Sequence, residues 1–279
     1  MSSRLLPRAR PERQIMQYRV VAERRDIPFA RRIVVKVGSS SISGANVSQI
    51  GPLVDALAAA HGRGSDVILV SSGAIATGLP YLRLDARPTD LATQQAAAAV
   101  GQNVLIYRYQ ESLDRYSIIA GPVLLTAGDL ENPGHRSNAQ RAMARLLGLR
   151  ILPIVNENDT VATHEIRFGD NDRLAALVAI LVEADVLILL SDVDALYTRP
   201  PGEPGAEPVG RVDWGAAVEV EFGDIGAAGV GTGGAGTMVA AAGLATASGT
   251  PVLLAATTAV DAALNGADIG TWFEAAPRP

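Results

Sequence analysis

The sequence has no cysteine, three histidines and, among its 24 basic residues, a single lysine. Without cysteine there is no disulfide framework and no thiolate to act as nucleophile or metal ligand. His61, His135 and His164 are too widely spaced for a zinc site, so no side-chain metal site is expected. Aromatic residues make up only 4% of the chain, while alanine and glycine are abundant. That balance suits helices packed closely on a sheet. No apolar run reaches the roughly 20 residues that span a bilayer, and no signal-peptide core follows the N-terminus. A soluble, cytoplasmic protein with no membrane partner is expected.

Hydrophobic residues form 48% of the 279 positions, enough for a sizeable core in one large domain or two small ones. Charge is unevenly spread. Nine arginines fall within residues 1–32 against Glu12, Glu23 and Asp26. Residues 1–30 are therefore expected to be an Arg-rich, flexible extension, with a single domain over 31–279. The remaining body is acidic, a poor surface for nucleic acid.

The lone lysine, Lys36, lies in the β-branched run Arg31–Val37, which ends at Gly38 and the hydroxyls Ser39 to Ser41. Strand, glycine turn and a helix near Val47 to His61 make a plausible phosphate cradle, because backbone N–H groups at a helix start attract anions. A strand-end lysine that merely snorkels is the plainer alternative. The loop is not a Walker A motif, since GKS and GKT are absent. Asp66 to Ser71 reads as a second strand running into Ser72-Gly73, small residues that let a ligand approach the backbone. Leu91 to Leu113 is a long helical pattern whose small face is expected to pack on the sheet or on another subunit.

Strands are also expected at 118–125, 150–155 and 186–190, with helices at 136–147 and 174–182, and short late strands at 252–255 and 271–273. Alternation at this spacing predicts an α/β fold, an open αβα sandwich with a mainly parallel central sheet. The most informative stretch is NENDTVATHEIRFGDND, residues 156–172, with five acidic residues and three asparagines in seventeen positions. It follows an apolar strand, and open α/β sheets bind ligands outside the carboxyl ends of their strands. Capping of the next helix by Asp170, Asn171 and Asp172 is the plainer account. It leaves the NEND segment unexplained.

VVKVGSS at 34–40, VSSGAIATG at 70–78, the acidic stretch, LLSDVDALY at 189–197 and GTGGAGT at 231–237 together resemble the amino acid kinase family, from about Ile33 onward. The similarity is to its glutamate-phosphorylating branch. The resemblance implies MgATP on one half of the sheet edge and glutamate on the other, with γ-glutamyl phosphate formed for proline biosynthesis. It implies substrate contacts from Ser72, Gly73, Asp159 and Asn171. Nucleotide contacts would come from Lys36, Gly38, Ser39, Ser191, Asp192, Thr232, Gly233, Gly234, Thr237 and Met238. Lys36, Asp170 and Asp172 would be catalytic, with Asp172 orienting the lysine, and Mg²⁺ would arrive on the nucleotide.

A homo-oligomer, dimer or tetramer, is implied as well. Many members carry an RNA-binding-like extension after the kinase domain; none is expected here. Met238 departs from the family, which has lysine at that place. Activity is expected to be reduced, and a restored lysine to raise it. Alternatives are a degenerate kinase that binds glutamate or nucleotide as a sensor or partner subunit, and a kinase for another carboxylate.

Overall fold

The computed structural model describes residues 18–161, 171–218 and 234–277. The chain alternates β1 (Arg32–Val37), α1 (Ile50–Gly62), β2 (Asp66–Ser71), α2 (Ala74–Gly78), α3 (Leu91–Asp114) and β3 (Ala120–Leu125). There follow α4 (Ala127–Glu131), α5 (Pro133–Gly148), β4 (Leu152–Glu157), α6 (Asn171–Leu181) and β5 (Val186–Ser191). The last part holds β6 (Leu196–Tyr197), β7 (Pro208–Val209), β8 (Arg211–Val212), α7 (Ala235–Ala247), β9 (Val252–Ala256), α8 (Val260–Leu264) and β10 (Thr271–Phe273). Eight strands form one sheet in the order β3-β4-β2-β1-β5-β9-β10-β8, while β6 and β7 form a separate antiparallel pair. Pairing is parallel from β3 to β9 and turns antiparallel between β9 and β10. The expected open αβα sandwich with a mainly parallel sheet is what the chain forms.

Strand β1 is central and has successive partners on opposite sides: β2 on one, β5 on the other. Its carboxyl end is therefore a topological switch point, where open sheets form their crevice. The side chains of β1 alternate. Ile33, Val35 and Val37 join the cluster filled by α1, α8 and the Leu105–Leu113 part of α3. Val34 joins the opposite cluster, made largely by α6 and α7. The period of two puts Lys36 on that same second face, against the start of α6.

The small stretch of α3 serves α2 rather than the sheet. A Cβ on Gly101 would sit 1.8 Å from the Ala74 carbonyl oxygen, and one on Gly78 would sit 2.0 Å from that of Ala97. Two helix backbones touch here because both lack a side chain, and this fixes α2 directly behind Ser72 and Gly73. Residues 18–30 correct the expectation of a flexible arm. Val21 and Ile27 are buried in the core, and Arg24 donates to the carbonyls of Ile269 at 2.9 Å and Gly270 at 3.0 Å. Apolar anchors and a cation on strand-end carbonyls dock this segment, whatever its arginine content. Residues 1–17 lie outside the described part.

Candidate active site

The site assembles where β1, β2, β4 and β5 end. Lys36 is buried, and its ammonium is paired with Asp172 Oδ1, a side chain only 1% exposed in the first turn of α6. The hydroxyl of Thr237, in the first turn of α7, donates to the other carboxylate oxygen of Asp172 at 3.1 Å and to the Gly234 carbonyl at 2.8 Å. Asp172 thus holds the lysine. Gly38 lies beside the pair: a Cβ there would be 3.8 Å from Lys36 Nζ. Gly73 holds a left-handed φ of 94°, and a Cβ there would lie 3.5 Å from Ser39 Cα. The two small-residue loops after β1 and β2 therefore meet over the same crevice.

Asn171 likewise reaches away from its helix. Its Nδ2 donates to the Ser71 carbonyl at 2.8 Å, to Ser72 Oγ at 3.0 Å and to Asn156 Oδ1 at 2.8 Å. Sequence reasoning placed Asn171 and Ser72 together; the structure shows them hydrogen-bonded. Asp159, two residues past the end of β4, is partly buried at the same edge. Asp170, Thr232 and Gly233 lie outside the described residues. Of the three histidines, His61 sits at the end of α1 beside Arg150, His135 pairs with Asp129 at the start of α5, and His164 is outside the described residues. Burial and the nearby Arg150 charge push His61 below its ordinary pKa.

Ser191 and Asp192, at the end of β5, line a neighbouring cleft of about 220 Å³ on the other side of β1. Ser41 donates to Asp192 at 2.6 Å, and the Thr257 hydroxyl lies 2.9 Å from Ser41 Oγ and 3.1 Å from the Ser191 carbonyl, its single proton shared between them. Thr257 was given no role by sequence reasoning, and Ser41 only a part in the expected phosphate cradle. Ser41 stood in the quoted loop, and Thr257 follows an apolar strand, the one signal available for it. Gln102 and Asn156 were also missed as hydrogen-bonding partners of the substrate side.

Met238 occupies an unexpected setting. It is 7% exposed and belongs to the apolar cluster with Leu174, Val178 and Ala242, one residue from the threonine that meets Asp172. Methionine here fills space between α6 and α7. Met238→Lys would place an ammonium in an apolar seat, at a helix N-terminus and near Lys36, all unfavourable. We therefore expect thermal melts to show a loss of about 1–3 kcal/mol, with no gain in turnover. A tenfold faster variant with an unchanged Tm would show instead that a lysine can reach the phosphates from this position.

Residues 31–256 match the amino acid kinase family. The chain belongs to that family. It is 73% identical over 254 residues to a protein of Leifsonia xyli subsp. xyli named glutamate 5-kinase, spanning 91% of this chain and 94% of that one. A Streptomyces coelicolor protein of the same name is 53% identical over 260 residues, spanning 91% of this chain and 70% of that one. Among solved structures, the carbamate kinase of Giardia lamblia bound to AMP-PNP superposes with a TM-score of 0.64 at 16% identity. That match covers 89% of this chain and all, 100%, of the other. The isopentenyl phosphate kinase of T. acidophilum gives a TM-score of 0.61 at 17% identity, covering 87% and 100%. At such identities these two share the fold.

Proposed function

We propose that this chain uses ATP to phosphorylate the γ-carboxylate of glutamate, the entry step of proline biosynthesis. The observation that carries this is the chain's only lysine, buried at the switch point and held by Asp172. It is supported by Asn171 and Ser72 across the same crevice and by 73% identity to a glutamate 5-kinase. A γ-carboxylate is ionised near neutral pH, so it attacks without a general base. One of its oxygens bonds to the γ-phosphorus, the bond from that phosphorus to the β,γ-bridging oxygen breaks, and ADP departs.

What the protein supplies is alignment and charge. Phosphoryl transfer depends on in-line positioning and on preorganised donors around the equatorial and leaving oxygens. Lys36 provides a fixed positive charge, and the backbone around Gly38, Ser39 and Gly234 provides N–H donors. Ser191 and Asp192 face the nucleotide side. Asp159 and Asn171 serve the amino-acid end, whose ammonium needs acceptors. Among the described residues no group of three metal-ligating side chains occurs. Mg²⁺ is typically held by substrate phosphates with few protein ligands; when bound it would neutralise charge on the phosphates. A homo-oligomer and a cytoplasmic setting belong to the same proposal.

ADP release from purified protein with MgATP and glutamate, with hydroxylamine trapping the acyl phosphate as a hydroxamate, tests it. Turnover that depends on glutamate is expected. Binding of both ligands without turnover would favour the sensor alternative. Asp159→Ala and Asn171→Ala are each expected to raise the KM for glutamate by about tenfold or more, from the cost of unpaired buried polar groups, with a small effect on that for ATP. Equal losses for the two ligands would indicate a collapsed crevice instead.

A further inference from the structure

The amide groups behind the amino-acid side form a chain whose polarity is set at both ends by backbone atoms. The Glu157 N–H donates to Asn156 Oδ1 at 2.9 Å, so that atom is an acceptor and the Asn156 nitrogen points the other way. That nitrogen donates to Gln102 Oε1 at 2.8 Å, from the middle of α3. At the far end the Ser71 carbonyl requires a donor, which fixes the nitrogen of Asn171 toward Ser71 and Asn156. Side-chain amides are ambiguous on their own; here no flip satisfies both backbone groups. Two atoms are left over. Asn171 Oδ1 takes no hydrogen bond among the described residues, and Gln102 Nε2 is enclosed without a partner among them.

We propose that Gln102 is a positioning residue for the amino group of the substrate. Backbone atoms set which way each amide faces; by accepting from Asn156, Gln102 holds that amide in place, and through it the Asn171 amide, whose oxygen is left over as an acceptor. A carboxylate-only ligand has no ammonium to offer that oxygen. The inference rests on the glutamate reading above, and it assigns the choice of an amino acid over a simple dicarboxylate to a residue of α3. The Gly78–Gly101 contact sets α3 deep enough for the next residue, Gln102, to reach Asn156.

The test compares glutamate with glutarate, which lacks only the amino group, in the wild type, Gln102→Met and Gln102→Glu. Methionine is close in size and removes the acceptor; glutamate keeps an acceptor facing Asn156. The ratio of kcat/KM for glutamate over glutarate is expected to fall about tenfold in Gln102→Met, the size of a lost buried hydrogen bond. It should stay near the wild-type value in Gln102→Glu, and the KM for ATP should stay within about twofold in both. A role confined to packing would lower Tm and both substrates' kcat/KM alike, leaving the ratio unchanged, and would overturn the inference. An unchanged ratio in an active Gln102→Met protein would do the same while leaving the glutamate reading intact. Should Gln102→Met fail to fold, loss of discrimination in Gln102→Glu would overturn it, and retention would support it. If the wild type neither binds nor phosphorylates glutamate, the functional reading falls and this inference with it.

Discussion

Lys36→Met is expected to reduce kcat with glutamate by at least about 10³, the upper end of what one preorganised donor supplies. No second lysine exists to replace the charge. The same variant is also expected to be less stable. Methionine would leave Asp172 as an enclosed carboxylate without its cation, and breaking a buried pair costs about 3–5 kcal/mol. Activity and denaturant midpoint should therefore both fall, and the residual activity must be measured below the new transition. A folded variant that keeps most of its turnover would show that Lys36 is a strand-end side chain with no part in the transfer.

Much of this arrangement was legible in the sequence because strong local patterns coincide with it. β2 falls at Asp66–Ser71 as its apolar run implied, and α3 extends one residue past the expected 91–113. β4 is displaced: 150–155 was expected and Leu152–Glu157 is found. Arg150 takes a left-handed φ of 60° as it leaves α5, which delays the strand. The strand then continues into Asn156 and Glu157, polar residues that the hydrophobic pattern excluded. Similarly, a 3₁₀ segment at Gly44–Gln49 postpones α1 to Ile50. The reversed direction of β10 was not legible, since three residues carry no sign of orientation.

In the site, Lys36, Asn171 and Asp172 stood out by rarity and by clustering. What stayed hidden are bonds between distant segments: Gln102 to Asn156 across 54 positions, and Thr257 to Ser41 across 216. A glutamine between Gly101 and Asn103 on a helix looks like surface until the strand end beside it is known. The apolar seat of Met238 stayed hidden for a related reason. Its position in the motif was plain, but which face of α7 it presents depends on how α6 lies against α7.

Asp172→Ala is expected to destabilise the protein by about 3–5 kcal/mol, because it leaves the Lys36 ammonium enclosed with no counter-charge. It should also lower kcat, since nothing then holds the ammonium over the crevice. Taken alone, either loss has a second explanation: an empty cavity, or a general disturbance of α6. The double variant Lys36→Met, Asp172→Leu separates them. Both charges are gone, two apolar side chains fill the space, and Thr237 keeps its hydrogen bond to the Gly234 carbonyl. Replacing a whole buried ion pair by packed apolar groups is typically neutral or stabilising by about 1–4 kcal/mol. The double variant is therefore expected to melt well above either single variant while staying inactive. Denaturant titrations of the wild type, Lys36→Met, Asp172→Leu and the double variant give the coupling energy directly. Additive losses would mean that the two side chains do not depend on each other, and Asp172 would then lose its place as the residue that holds the lysine. Strong coupling with no recovery of turnover would assign the buried pair to phosphoryl transfer rather than to stability.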